Sequence, residues 1–234
     1  MEPARYERAL IVGAGQGLSA SLARLFSREG MRVALASRNP DSLAALSVET
    51  GARAFFCDVV NAAAVRQLFS DVDRALGEPD VVVYNPSARA RGPIAGLDPA
   101  EVERALAVCA FGGFLVAQQA ARRMLATKRG AILFTGASAS IKGYAQSAPF
   151  AMGKFALRGL AQSLARELAP QGIHVAHFVI DGGIRAGGDS RAAERGEDGM
   201  LLPEEIARSY LQVYRQHRSA WSWELELRPW LEKF

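Results

Sequence analysis

The stretch Arg8-Ala9-Leu10-Ile11-Val12-Gly13-Ala14-Gly15-Gln16-Gly17-Leu18-Ser19 decides the fold. A short apolar run ends in a glycine turn, and Leu18, Leu22, Leu25 and Phe26 then recur at helical spacing, which reads as strand, turn, helix. Such a turn lets the backbone approach a pyrophosphate without interference from a Cβ, and the N–H groups at the helix start attract its negative charge. Gly13 and Gly15 fit the first two glycines of the G-x-G-x-x-G pattern, whose third position here holds Leu18. A glycine turn without a ligand is the bland alternative; the strand and helix on either side argue against it.

Working outward, further strands are expected at Arg32–Ala36, Ala52–Phe56, Val81–Tyr84, Ala131–Phe134 and Ile173–Ile180, with helical patterns between them. Alternating strands and helices imply an α/β fold of Rossmann type: three layers, a doubly wound parallel sheet, and one domain over residues 1–234. Ligands of such sheets lie beyond the carboxyl ends of the strands near the switch point. The polar residues there are Ser37, Arg38, Asp58, Asn85, Ser138 and Ser140.

Composition agrees with one ordinary globular domain: 234 residues, 50% hydrophobic. Only Cys57 and Cys109 occur, so no disulfide scaffold is expected and a reducing cytoplasm fits. No apolar stretch is long enough to span a bilayer, and Met1–Arg5 does not lead into a signal peptide. The net charge of +4 is scattered among acids rather than gathered on one recognition helix, which argues against a nucleic-acid partner. Arg122, Arg123, Lys128 and Arg129 do cluster, where cations would complement the dipole at a helix end. No metal-binding cluster is expected.

Several motifs together resemble the short-chain dehydrogenase/reductase family over nearly the whole chain. In that family's G-x-x-x-G-x-G spacing Gly13 and Gly17 match and Ser19 replaces the last glycine. Cys57-Asp58-Val59 is similar to the family's Asp-Val step, whose aspartate holds the adenine. Tyr84-Asn85-Pro86-Ser87 resembles a degenerate Asn-Asn-Ala-Gly motif that keeps Asn85, and the segment from Phe150 through Leu168 is similar to the active-site helix. The resemblance implies a nicotinamide cofactor held by Gly13, Gly15, Gln16, Gly17, Leu18, Ser37, Arg38, Asp58, Val59, Asn85, Lys154 and Gly182. Arg38 stands where a carboxylate would favour NAD(H); a guanidinium instead pairs with a 2′-phosphate, so NADP(H) is expected over NAD(H). An arginine that only caps the turn into Asn39-Pro40-Asp41 is the plain alternative.

The chemistry implied by the resemblance needs a tyrosine hydroxyl, a lysine four residues on, a serine and an asparagine. Lys154 matches the lysine, but the tyrosine position holds Phe150, which exchanges no proton. Ser138 is a serine candidate shifted by one residue from the ungapped position, Ala137, and the asparagine position holds Cys109. Tyr144, in the loop before the helix, is an alternative acid or else a wall of the cleft; Ser147 is expected to cap the helix. Lys154 itself would serve as donor if desolvation lowered its pKa.

The segment at about 182–202 reads as a glycine-rich lid. Arg185, Arg191 and Arg195 on it, with Arg89 and Arg91, read as solvated loop charges, an anionic substrate being the alternative. Leu157, Leu160, Ala161, Leu164 and Leu168 form an apolar stripe whose small neighbours Gly153, Ala156 and Gly159 would allow close helix packing, and the resemblance implies that such helices build a homodimer or homotetramer. In the tail 219–234, Trp221, Trp223, Leu225 and Leu227 share one parity, as in a half-buried strand closed by Pro229, leaving Trp230, Leu231 and Phe234 in need of cover. The expectation is an NADP(H)-dependent oxidoreductase acting on a small-molecule carbonyl, alcohol or conjugated substrate. A cofactor-binding sensor or inactive partner subunit without turnover is the alternative.

Overall fold

The computed structural model describes residues 7–186, 195–196 and 198–232; Arg191 of the expected lid, Phe234 and the first six residues lie outside them. In chain order come β1 (Arg8–Val12), α1 (Leu18–Arg28), β2 (Arg32–Ser37), α2 (Ala44–Thr50), β3 (Arg53–Phe56), α3 (Ala62–Ala75) and β4 (Val81–Tyr84). They are followed by α4 (Pro99–Leu106), α5 (Gly112–Thr127), β5 (Gly130–Thr135), α6 (Ala148–Leu168), β6 (Ile173–Ile180), α7 (Pro203–Tyr214) and β7 (Glu224–Leu227). All strands pair in parallel in the order β3-β2-β1-β4-β5-β6-β7. The order reverses between β1 and β4, so the switch point lies beyond Val12 and Tyr84.

Strand residues alternate between two cores. Ile11, Leu35, Val83 and Leu133 pack with Leu22 and Phe26 of α1 and Ile206 and Tyr210 of α7. Leu10, Val12, Val82 and Ile132 pack on the other face with Phe69 of α3, Val116 of α5 and Leu157 of α6. Burial on both faces explains why these strands read as continuous apolar runs rather than as alternation.

Two corrections concern the edges. Leu157, Ala161 and Leu168 belong to the chain's own core, because that side of α6 faces the sheet; the outward residues are Phe155, Ala156 and Gly159. The tail strand covers Glu224–Leu227 alone, and of its polar parity Glu226 is exposed while Glu224 and Arg228 are drawn into ion pairs. Glu224 takes a two-pronged ion pair from Arg158 at 2.6 and 2.7 Å and a hydrogen bond with buried His177 at 3.0 Å, while Arg228 pairs with Asp181 at 3.0 Å. Arg158 of α6 holds Glu224 and the Asp181 carboxylate at the lid's neck holds Arg228, while Leu225 and Leu227 pack on the core. Trp230 and Leu231 remain exposed.

The basic cluster near the end of α5 also serves tertiary pairing: Arg123 reaches Asp73 at 2.7 Å and Arg129 pairs with Asp80. Ser147 precedes α6, but its side chain makes no capping hydrogen bond.

Candidate active site

The site begins where β1 and β4 release their chains. Gly13 has φ of +79°, and a Cβ there would stand 2.6 Å from the Pro86 nitrogen, so the first turn crosses the second at a distance only glycine allows. Gly15 and Gly17 are different: a Cβ on either would meet nothing within 4 Å, which leaves an open cradle over the turn. No side chain caps the start of α1 beyond it. An open cradle beside uncapped helix N–H groups fits a pyrophosphate.

Ser19, at the position read as a lost glycine, has a use that the sequence did not disclose. Its hydroxyl donates to the Gly13 carbonyl at 3.2 Å and accepts from Asn85 Nδ2 at 2.7 Å, tying the glycine turn to the end of β4.

From this knot a trough runs both ways. Toward β2 a cavity of about 380 Å³ is lined by Gly13, Ser37, Arg38, Asp58, Val59 and Asn85 among others. Gln16 turns aside, donating weakly from Nε2 to the Ser42 carbonyl at 3.4 Å. Toward β5 and β6 a cleft of about 430 Å³ is lined by Gly17, Leu18, Asn85, Arg89, Ala137, Phe150, Lys154, Gly182 and Arg185. Asn85 and Ser87 line both cavities, so the two adjoin at the end of β4. The structure thus gathers most of the cofactor candidates along one path, with Phe150 and Lys154 at its far end.

At that far end α6 presents Phe150 and, one turn later, Lys154 on one face. Lys154 is 2% exposed and donates from Nζ to the Thr135 carbonyl at 2.8 Å. Burial pushes its ammonium down to about 8; the Cys109 thiol opposes the shift and the Arg89 guanidinium adds to it. Two cations lie near the Phe150 ring, Arg89 4.2 Å and Lys154 5.9 Å from its centroid. Behind it sits Cys109, in a π-helical turn at Ala107–Phe111 that joins α4 to α5. The Tyr84 hydroxyl takes up the Val108 carbonyl of that turn, and Gly153 admits Cys109, since a Cβ on Gly153 would come within 2.7 Å of it. Burial raises the Tyr84 phenol well above its ordinary value, so it stays a neutral donor.

Two acid or serine candidates stand apart from this cleft. Ala137, not Ser138, lines it beside Phe150. Tyr144 is 46% exposed and lines a separate apolar depression with Met152 and Phe155. Among the loop cations Arg89 and Arg185 do line the cleft, Arg91 is exposed to solvent, and Arg195 pairs with Glu232 at 3.5 Å. The lid's described ends are joined by hydrogen bonds from Leu201 N–H to the Gly183 carbonyl and from Arg185 N–H to the Leu201 carbonyl, at 2.9 and 2.8 Å. No group of residues able to hold a metal ion occurs among the described residues.

Comparison with known proteins bears on this geometry. Residues 7–190 match the family model described as short chain dehydrogenase. D-threitol dehydrogenase of Mycolicibacterium smegmatis is 29% identical over 172 residues, which is 71% of this chain and 66% of that enzyme's length. A crystal structure of a short-chain dehydrogenase from Rhodopseudomonas palustris has a TM-score of 0.84 at 34% identity, covering 97% of this chain and 100% of that one. A metagenomic short-chain oxidoreductase solved in complex with NADP has a TM-score of 0.83 at 26% identity, covering 97% and 98%.

Proposed function

The chain belongs to the short-chain dehydrogenase/reductase family of oxidoreductases, and from that premise we propose that it binds NADP(H) along the trough and acts on a small carbonyl, alcohol or conjugated substrate. The observation that carries the reading is a single cleft lined by Gly17 and Leu18 of the turn, by Asn85 and by the buried ammonium of Lys154. Gly13, Gly15, Gly17 and Leu18 would hold the pyrophosphate, Asp58 and Val59 the adenine, and Ser37 and Arg38 the ribose with its phosphate. Lys154, Asn85 and Gly182 would hold the nicotinamide end. NADP bound to a structural relative supports the choice, as does the absence of a carboxylate at Ser37-Arg38.

A bound nicotinamide supplies hydride transfer; the chain must handle the proton. Phe150, at the position the family fills with tyrosine, has no proton to give. Lys154 holds one at Nζ, and a pKa of about 8 leaves it protonated at neutral pH yet able to release it. Lys154 is therefore the acid of this reading, in place of Tyr144 or Ser138, which lie off the cleft.

The second reading, a cofactor-binding sensor or partner subunit without turnover, draws on the same cleft, where Phe150 and Ala137 present no hydroxyl. One experiment separates the two. NADPH and NADH binding is measured by fluorescence titration, and NADPH consumption is followed with ketones, aldehydes and enones. Tight NADPH binding with turnover of one class supports the enzyme; tight binding with no turnover across the panel supports the sensor; no binding removes both.

A homodimer or homotetramer is the proposed assembly, with Phe111, Phe114, Met152 and Phe155 exposed and in need of cover. The two buried free cysteines fit a reducing cytoplasm. No helix among the described residues is long and apolar enough to cross a membrane.

A further inference from the structure

We infer that Arg104, in the last turn of α4, is a second determinant of cofactor choice and forms with Arg38 a paired cationic seat for a phosphate on the adenosine ribose. The inference rests on the reading of the trough as an NADP(H) site and adds to it a residue from the opposite wall.

Arg38 enters from the end of β2 and Arg104 from α4, yet both line the cavity at the nucleotide end and the groove that continues it past Val60 and Ala107. Arg8, Arg24, Arg123, Arg129 and Arg158 are each engaged with a carboxylate. Neither Arg38 nor Arg104 has an ion-pair partner among the described residues, although Glu101 and Glu103 line the outer groove beside Arg104. Within the inner cavity two guanidinium groups face one carboxylate, that of Asp58. Adenosine alone brings no charge to that balance, whereas a ribose phosphate brings about −1.5 to −2 and acceptor oxygens suited to two guanidinium forks.

Both mounts are fixed before any ligand arrives. Ser37 Oγ accepts from the Asn39 N–H at 3.2 Å, and Ser42 Oγ donates to the Asn39 carbonyl at 2.6 Å, so the loop carrying Arg38 is closed on itself. Arg104 stands on a helix whose start is capped by Asp98, which accepts from Ala100 N–H at 2.9 Å. Two arginines on preset elements lose less freedom on binding than one on a mobile loop.

The test is calorimetric titration of the intact chain with adenosine 2′,5′-bisphosphate and with 5′-AMP, for the unmodified protein, Arg104→Ala, Arg104→Lys and Arg38→Ala. Arg104→Ala is expected to weaken the bisphosphate by roughly tenfold or more, as for loss of a hydrogen bond to a charged group, and to leave 5′-AMP unchanged. Arg104→Lys should restore part of the loss, and added salt should narrow the gap between the two ligands. Equal weakening of both ligands would place Arg104 on the adenine and overturn the inference, as would no change in either. Discrimination lost in Arg38→Ala but kept in Arg104→Ala overturns the role of Arg104 and leaves the NADP(H) reading standing. Equal affinity of the unmodified protein for both ligands overturns the two together.

Discussion

At the nucleotide end of the trough, around Gly13, Ser37 and Arg38, the chain offers backbone N–H groups, hydroxyls and guanidinium groups around an open cradle. At the proposed reacting end, around Ala137, Phe150 and Lys154, it offers a ring under the Arg89 guanidinium, aliphatic side chains and one buried ammonium. The first end needs only to recognise a charged, fixed ligand, and turn geometry with a few polar groups achieves that. On the proposed reading the second must pass a proton, for which one phenol or one suitably poised amine is decisive. A single ring without its hydroxyl therefore changes the second end far more than Ser19 in place of a glycine changes the first.

The largest expected effect tests whether that hydroxyl is all the reacting end lacks. Phe150→Tyr would put a phenol one helical turn from Lys154, and slow ketone reduction should rise by about 10² to 10⁴, the contribution of a positioned acid. Steady-state kinetics on a ketone panel check it. A fall in rate would mean that the cleft depends on the Phe150 ring, with Arg89 stacked upon it, and that its proton comes from elsewhere.

Lys154→Met probes the buried ammonium at the far end of the trough. NADPH affinity should drop by about 1 to 3 kcal/mol, the range for hydrogen bonds to a charged group. Thermal stability at neutral pH should rise, because the folded state no longer buries an ammonium. The folded pKa is lowered from 10.5 to about 8, so between those values the unfolded chain binds more protons and stability increases with pH. Below about pH 8 the charged form carries the full penalty, about 3 kcal/mol for an ammonium pKa lowered this far. Denaturant melts across pH 7 to 11 should show this rise in the native protein and lose it in the variant.

The same group sets a pH limb. With Lys154 as the acid, the reduction rate should be level below pH 8 and fall about tenfold per pH unit above it. A rate flat to pH 10 would remove Lys154 from the proton's path.

Arg38→Ala acts on the other end alone. It should lower NADPH affinity roughly tenfold and leave NADH nearly unaltered, since the lost contact is to the 2′-phosphate. Equal affinities of the unmodified protein for the two cofactors would break the comparison at the end where it is most polar.

What the sequence disclosed follows the same division. The strands, the glycine turn and Asn85 were legible because each is local: an apolar run, a conformational demand, a polar residue just past a strand. The knot of Ser19 with Asn85, the Arg89 stack on Phe150 and the pairing of Glu224 with Arg158 and His177 were not, because each joins residues far apart in the chain. The π turn at Ala107–Phe111 was equally hidden, for the Tyr84 hydroxyl that takes its carbonyl comes from another element. In the tail, alternation gave a half-buried strand but not the partners of Glu224 and Arg228, since periodicity reports which residues share a side and not what lies opposite.

The smallest expected effect decides how far that limit reaches into the active site. Tyr144 carries the nearest phenol before Phe150 in sequence, and as a loop residue it was the natural substitute for the missing hydroxyl. In the fold it is 46% exposed and stands with Met152 and Phe155, apart from the residues that line the Lys154 cleft. Tyr144→Phe removes only an oxygen and keeps the ring, so turnover and NADPH affinity should stay within about twofold, as for a surface substitution of about 0.5 kcal/mol or less. A loss of about 10²-fold or more in kcat, with cofactor affinity intact, would instead make Tyr144 the acid. The loop would then have to carry the hydroxyl to the cleft during the reaction, and the reacting end would prove as polar in action as the nucleotide end is at rest.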